Sequence, residues 1–162
     1  MSEVAGHSVW LMPQGALADR LAARICNDSV AASPFLPHIT VVGQLPHDPT
    51  QLDALLHELA AGHDPIEITL GDRAVEGEWF RASYLHADSA DLLTLHAHAC
   101  RLFDCDPAGY RPHLSLRYGP PEAEATSGVD PETGARFTAH ELVLWHTEGP
   151  VANWIEAARF PL

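Results

Sequence analysis

Two short segments of this 162-residue chain carry chemically competent side chains in the same order. One is Pro37-His38-Ile39-Thr40-Val41; the other is Pro112-His113-Leu114-Ser115-Leu116. Each reads proline, histidine, apolar, hydroxyl, apolar. In a β-strand, residues two apart project from the same face. His38 therefore points with Thr40, and His113 with Ser115, while Ile39, Val41, Leu114 and Leu116 turn toward a core. An imidazole exchanges a proton near neutral pH, and a hydroxyl donates a hydrogen bond. Two such pairs facing each other supply a base, an acid and two donors for phosphoryl oxygens. One His-x-Thr or His-x-Ser arises easily by chance; two in matching contexts carry weight. By alternation Arg117 shares the His113 face and is a candidate third phosphate contact.

The elements around these segments repeat as well. Residues 8–12 are apolar and stop at Pro13, which predicts a buried strand. Leu17, Leu21 and Ile25 recur at four-residue spacing and predict a helix over residues 16–32. The first histidine strand, residues 38–42, follows. Asp48-Pro49 forms an N-cap with proline at the first helical position, and Leu52, Leu55, Leu56 and Leu59 face inward up to Gly62. Residues 66–70 alternate as a strand. The order then restarts: a strand over residues 80–87, a helix capped by Ser89 and running to about Phe103, and the second histidine strand over residues 113–118. The interval from Val9 to His38 equals that from Tyr84 to His113. Residues 119–134 read as a loop or short helix, and residues 137–146 and 154–160 as two closing strands. This order predicts an α+β, bilobal, duplicated fold within a single domain over residues 1–162. Its halves fall at roughly 1–78 and 79–162.

Composition narrows the function classes. The formal net charge is −13 and all nine basic residues are arginine. Long nucleic acid is held through many Lys and Arg contacts, so no such partner is expected; a small nucleotide needs only a few local donors. Without lysine there is neither a Schiff-base nor a P-loop candidate. No apolar run approaches the roughly 20 residues of a membrane span. Residues 1–7 lack a secretory pattern, so a cytoplasmic location is expected. Cys26, Cys100 and Cys105 are odd in number, which favours reduced thiols, although Cys100 and Cys105 are near enough in sequence for a bridge. His96 and Cys100 share a helix face at a spacing zinc can use, but no further ligand set accompanies them and His98 points elsewhere.

The paired motifs resemble those of the 2H phosphoesterase superfamily, and within it the cyclic phosphodiesterases that act on small nucleotides. Residues 8–13, 35–41, 110–116, 142–147 and 154–156 carry the resemblance. It implies a bilobal fold with antiparallel sheets lining a central cleft, helices outside, and no cofactor or metal. It implies His38 and His113 as the catalytic pair and Thr40 and Ser115 as phosphate ligands. The substrates it implies are nucleoside 2′,3′-cyclic phosphates, opened to 2′-phosphates, and ADP-ribose 1″,2″-cyclic phosphate. Phe80, Tyr118 and Trp10 are candidates for stacking a base or lining the cleft. By strict alternation Tyr118 points away from His113 and needs a bulge or a strand end to reach it. Trp79 is the other tryptophan expected near the cleft, with Trp145 and Trp154 in the core. A monomer binding a small cyclic nucleotide is expected. Two further readings stay open: a 2H enzyme that processes RNA ends with 2′,3′-cyclic phosphates or 2′–5′ linkages, and a non-catalytic nucleotide-binding module.

Overall fold

The computed structural model describes residues 5–29, 33–120 and 126–162. Eight strands and three helices follow the order β1 (His7–Leu11), α1 (Gly15–Asp28), β2 (Ile39–Leu45), α2 (Pro49–Ala61), β3 (Ile66–Ala74), β4 (Ser83–Asp88), α3 (Ala90–Phe103), β5 (His113–Arg117), β6 (Arg136–Ala139), β7 (Glu141–His146) and β8 (Ile155–Pro161). All strands join one curled antiparallel sheet in the order β6-β3-β4-β5-β2-β1-β7-β8.

Local chemistry sets the helices. The Asp48 carboxylate accepts hydrogen bonds from the Thr50 and Gln51 amides at 2.9 and 3.0 Å, so α2 starts where its cap and proline dictate. Ser89 Oγ does the same for the Leu92 amide. Leu17, Leu21 and Ile25 of α1, Leu52, Leu56 and Leu59 of α2, and Leu92, Leu95, Ala99 and Phe103 of α3 are buried. These apolar faces cover the sheet, and two of them cross over. Helix α1, which links β1 to β2, packs on β5; α3, which links β4 to β5, packs on β2. Each histidine strand is thus backed by the helix of the other repeat.

The expected α+β fold of antiparallel strands with helices outside holds, as a single sheet whose four-stranded halves meet at β2 and β5 through the pair Ile39–Leu114. Three finer expectations are revised. The halves of the sheet do not follow a division near residue 78, because β3 pairs with β4 and β6 while β7 and β8 continue from β1. The strand expected from residue 80 starts at Ser83, since Trp79–Arg81 form a 3-10 turn. The stretch 137–146 is two strands rather than one. It breaks at His140 so that β6 can pair with β3 and β7 with β1. Within the 119–134 segment, Gly128 exchanges both backbone hydrogen bonds with Arg73, at 2.8 and 2.9 Å. Residues 121–125, and the expected helix end at 30–32, lie outside the described residues.

Candidate active site

The Ile39–Leu114 pair determines the site. Both side chains are fully buried, so the flanking residues face the other side of the sheet. The antiparallel register, continued by one residue each way, sets His38 beside Ser115 and Thr40 beside His113. Each imidazole therefore neighbours the hydroxyl of the opposite motif. All four side chains line one cavity of about 260 Å³.

The prolines explain how the rings are aimed. A residue before proline is held extended, which presents the carbonyl of Leu36 and of Arg111 to the histidine two residues on. His38 Nδ1 donates to Leu36 O at 2.7 Å and His113 Nδ1 to Arg111 O at 2.9 Å. With Nδ1 protonated on both rings, both Nε2 atoms are left for the cavity. This shared constraint is the physical content of the Pro-His pattern.

The electrostatics of the two rings differ. His38 is 4% exposed. Burial lowers its pKa from 6.5 to about 3, against the opposing effect of the Leu36 hydrogen bond and with a smaller lowering from His113. Trp10 lies on the ring at 3.5 Å between centroids and 10° between planes. A cation–π contact returns only ~0.5–2 kcal/mol to the charged form, too little to offset desolvation on that scale. His113 is partly exposed. Its pKa is also lowered, first by burial, with Arg81 lowering and Glu76 raising it. The Ser115 hydroxyl, buried, donates to Phe80 O at 2.8 Å, whereas the Thr40 hydroxyl takes no partner among the described residues.

The aromatic candidates separate by geometry. Trp10 has His38 on one face and Trp145 on the other, with centroids 4.5 Å apart, so it forms wall rather than a stacking platform. Tyr118 does reach the cavity: the β4–β5 register shifts between Tyr84–Ser115 and Ser83–Arg117, and the strand then ends. One face of its ring is stacked on Phe35 at 3.8 Å, and its hydroxyl lies 3.4 Å from His38 Nε2. Phe80 lines the cavity opposite Trp154, the two rings 6.2 Å apart and 29° from parallel. Trp154 therefore lines the cleft together with Trp10, and Trp79 lies outside the lining, because the 3-10 turn directs Phe80 inward. Trp10 and Trp154 also wall a second, apolar cavity of about 380 Å³ that is lined by neither His38 nor His113.

Arg117 is corrected from its expected place. The register shift ends its alternation with His113, and its guanidinium donates to Pro120 O at 2.7 Å outside the cavity lining. The cation in the lining is Arg81, paired with Glu76 at 3.3 Å and with Glu78. Ser8, Gly43, Gln44 and Thr147 complete the wall, with Ser8 and Thr147 hydroxyls 2.9 Å apart. Of these, Ser8 was within reach of the sequence, two residues before Trp10 on the same strand face; the others depend on strand pairing and loop packing. Gln44 has a left-handed φ of 54°, a conformation costly for a non-glycine residue and common at functional sites. His96 lies 3.5 Å from Cys100 Sγ, while His98 pairs with His63 at 2.9 Å. Among the described residues no group of three or more His, Cys, Asp or Glu is placed to hold a metal ion, and no helix is long and apolar enough to cross a membrane.

Two imidazoles and two hydroxyls thus line one small cavity, an arrangement that can exchange protons and hydrogen-bond phosphoryl oxygens. The sequence matches the profile of the 2′-5′ RNA ligase superfamily over residues 11–150, and the chain belongs to that family, the 2H phosphoesterases. Its fold is similar to that of the Thermus thermophilus protein TT0787, at 17% identity and a TM-score of 0.69 over 97% of both chains. It is also similar to E. coli LigT, crystallised with NADP+, at 16% identity and 0.61 over 99% of both chains. A third structure described as a phosphoesterase matches at 14% identity and 0.64, again over 99% of both chains. No curated protein sequence matches the chain.

Proposed function

We propose that the protein hydrolyses small cyclic nucleotide phosphates, either nucleoside 2′,3′-cyclic phosphates to 2′-phosphates or ADP-ribose 1″,2″-cyclic phosphate, by acid–base catalysis without a metal. The carrying observation is that two imidazoles, each fixed by its Nδ1–H on a carbonyl two residues back, turn Nε2 into the same 260 Å³ cavity. His38, kept neutral by burial, takes a proton from water as that water attacks phosphorus. His113, the more solvated ring, carries the proton it gives to the departing ribose oxygen. Each transfer contributes about 10²–10⁴-fold. Thr40, with its hydroxyl unengaged, donates to a non-bridging oxygen directly; Ser115 does so after rotating away from Phe80 O. Arg81 offers positive charge at the rim. Phe80 and Trp154 hold the base.

The small cavity and the net charge of −13 support a small, locally recognised substrate. A monomer working in the cytoplasm, free of membrane and long nucleic acid, belongs to the same reading. The family's description favours one alternative, RNA ends bearing a 2′,3′-cyclic phosphate or a 2′–5′ linkage. The test is turnover of adenosine 2′,3′-cyclic phosphate, ADP-ribose 1″,2″-cyclic phosphate and a short RNA with a cyclic end, each with chelator present. Turnover of a small substrate that survives chelator supports the proposal. Turnover of RNA alone moves the assignment to end processing, and tight binding without turnover of any substrate overturns an enzymatic role.

A further inference from the structure

Behind β2, on the helix side of the sheet, four side chains form a continuous chain of contacts. The α3 helix ends at Asp104, whose φ of 56° and ψ of 51° return the chain so that the Cys105 amide donates to Cys100 O at 3.0 Å. That turn folds Cys105 back over the helix end and brings its Sγ to 2.7 Å from Cys100 Sγ. Cys100 Sγ is 3.5 Å from His96 Nε2. His96 Nδ1 donates to Val41 O at 2.7 Å, which leaves Nε2 as acceptor for the Cys100 thiol. Tyr110 stacks on His96 at 3.6 Å and 13°, and its hydroxyl donates to Thr40 O at 2.8 Å. Thr40 and Val41 directly follow His38-Ile39. The β1–β2 register passes from Val9–Val42 to Trp10–Thr40 and leaves Val41 without a partner on β1. The carbonyls at this irregularity, in the strand that carries half of the site, are thus held by the His96–Tyr110 pair.

We propose that Cys100 and Cys105 are an oxidation site, a dithiol that a hydroperoxide converts to a disulfide, coupled through His96 and Tyr110 to the strand of His38 and Thr40. Cys105 is exposed and Cys100 is buried, so Cys105 meets the oxidant first; burial and the neighbouring Cys105 also raise the Cys100 thiol pKa. The Cys105 thiolate attacks the peroxide, the O–O bond breaks, and a sulfenic acid and one water or alcohol result. Cys100 sulfur then attacks the sulfenic sulfur; the S–O bond breaks and the hydroxyl leaves as water with the Cys100 proton. Two thiols lose two electrons and two protons, and the peroxide is reduced. His96 Nε2 thereby loses its S–H donor inside the core, and the ring that holds Val41 O and backs Tyr110 must readjust.

The experiment uses the full chain with Cys26→Ser, titrated with hydrogen peroxide. The expected result is loss of both remaining titratable thiols, an intramolecular Cys100–Cys105 peptide under non-reducing conditions, and full reversal by dithiothreitol. The imidazole NMR signals of His38 should shift on oxidation and return on reduction. Adding Cys105→Ser should abolish both changes in a chain that still folds. Persistence of both thiols at peroxide concentrations that oxidise a free thiol, or pairing between molecules, would overturn the site. A disulfide that leaves the His38 signals unmoved would overturn the coupling. Neither readout depends on the substrate, so the result stands apart from the proposed reaction.

Discussion

The two histidine strands have the same five-residue pattern, yet they occupy unlike surroundings, and the difference begins at one pair of equivalent positions. Trp10 pairs with Thr40 on the first strand, as Tyr84 pairs with Ser115 on the second. The tryptophan lies flat on His38 and seals it from water. The tyrosine stands edge-on to His113, with centroids 5.1 Å apart. Its hydroxyl donates to Glu76 at 2.7 Å, and Glu76 in turn holds Arg81 and Arg111. One duplicated motif thus produces a dry imidazole and a solvated one beside a charge network. The motif fixes the ring geometry; burial and the neighbouring charges set the proton affinity.

The largest effect should come from removing either ring. His38→Ala and His113→Ala should each lower kcat by about 10²–10⁴ while calorimetry still detects product binding. A drop confined to one variant would show that the two strands do not act as a pair. In the wild type the pH–rate profile should be bell-shaped, because one ring must be neutral and the other charged.

Next comes stability against pH, where the strands should part. The His38 pKa is depressed in the folded state, from 6.5 to about 3. Its contribution is therefore complete above pH 6.5 and is lost as the pH falls toward 3, since the unfolded chain binds a proton that the folded chain refuses. Within that window the loss is about 1.4 kcal/mol per pH unit. Urea unfolding across pH 4–7 should show this slope in the wild type and in His113→Gln. It should be flatter by nearly that amount in His38→Gln. Equal slopes in both variants would break the comparison.

The hydroxyls give a smaller, opposed pair. Ser115→Ala leaves the Phe80 carbonyl without its donor and should lower stability by ~1–2 kcal/mol. Thr40→Val keeps the shape and removes an unengaged hydroxyl, so stability should hold while kcat falls about tenfold, a fraction of the loss seen when a full oxyanion donor is removed. Thermal melts and initial rates on the same samples separate the two.

What the sequence revealed follows the range of the interactions concerned. Helix starts at Asp48 and Ser89, the apolar faces of all three helices and the paired facing of His38 with Thr40 and His113 with Ser115 depend on neighbours within four residues. All of these were legible. The break at His140 was not, because β6 and β7 divide only through their separate partners β3 and β1. Nor could alternation place Arg117, since it presumes an unshifted register and β5 shifts just before it. Arg81, Trp154 and Thr147 enter the cavity from segments distant in sequence, and their local patterns resemble those of ordinary surface or core residues.

The smallest expected effect concerns Tyr118, where both strands meet. Its ring leaves the end of the His113 strand and its hydroxyl lies 3.4 Å from Nε2 of His38, a long contact. Burial raises the tyrosine pKa, so the phenol stays protonated and donates to the neutral imidazole. Only the neutral form of His38, whose pKa burial lowers, can accept that hydrogen bond at Nε2. Tyr118→Phe removes the donor and leaves the stacking on Phe35 intact. The acid limb of the pH–rate profile should move upward by less than about half a unit, and kcat at its optimum should change by no more than about threefold, because a contact of this length is worth under ~1 kcal/mol. A loss near that of His38→Ala would instead make Tyr118 a proton donor in the reaction and remove His113 from that role.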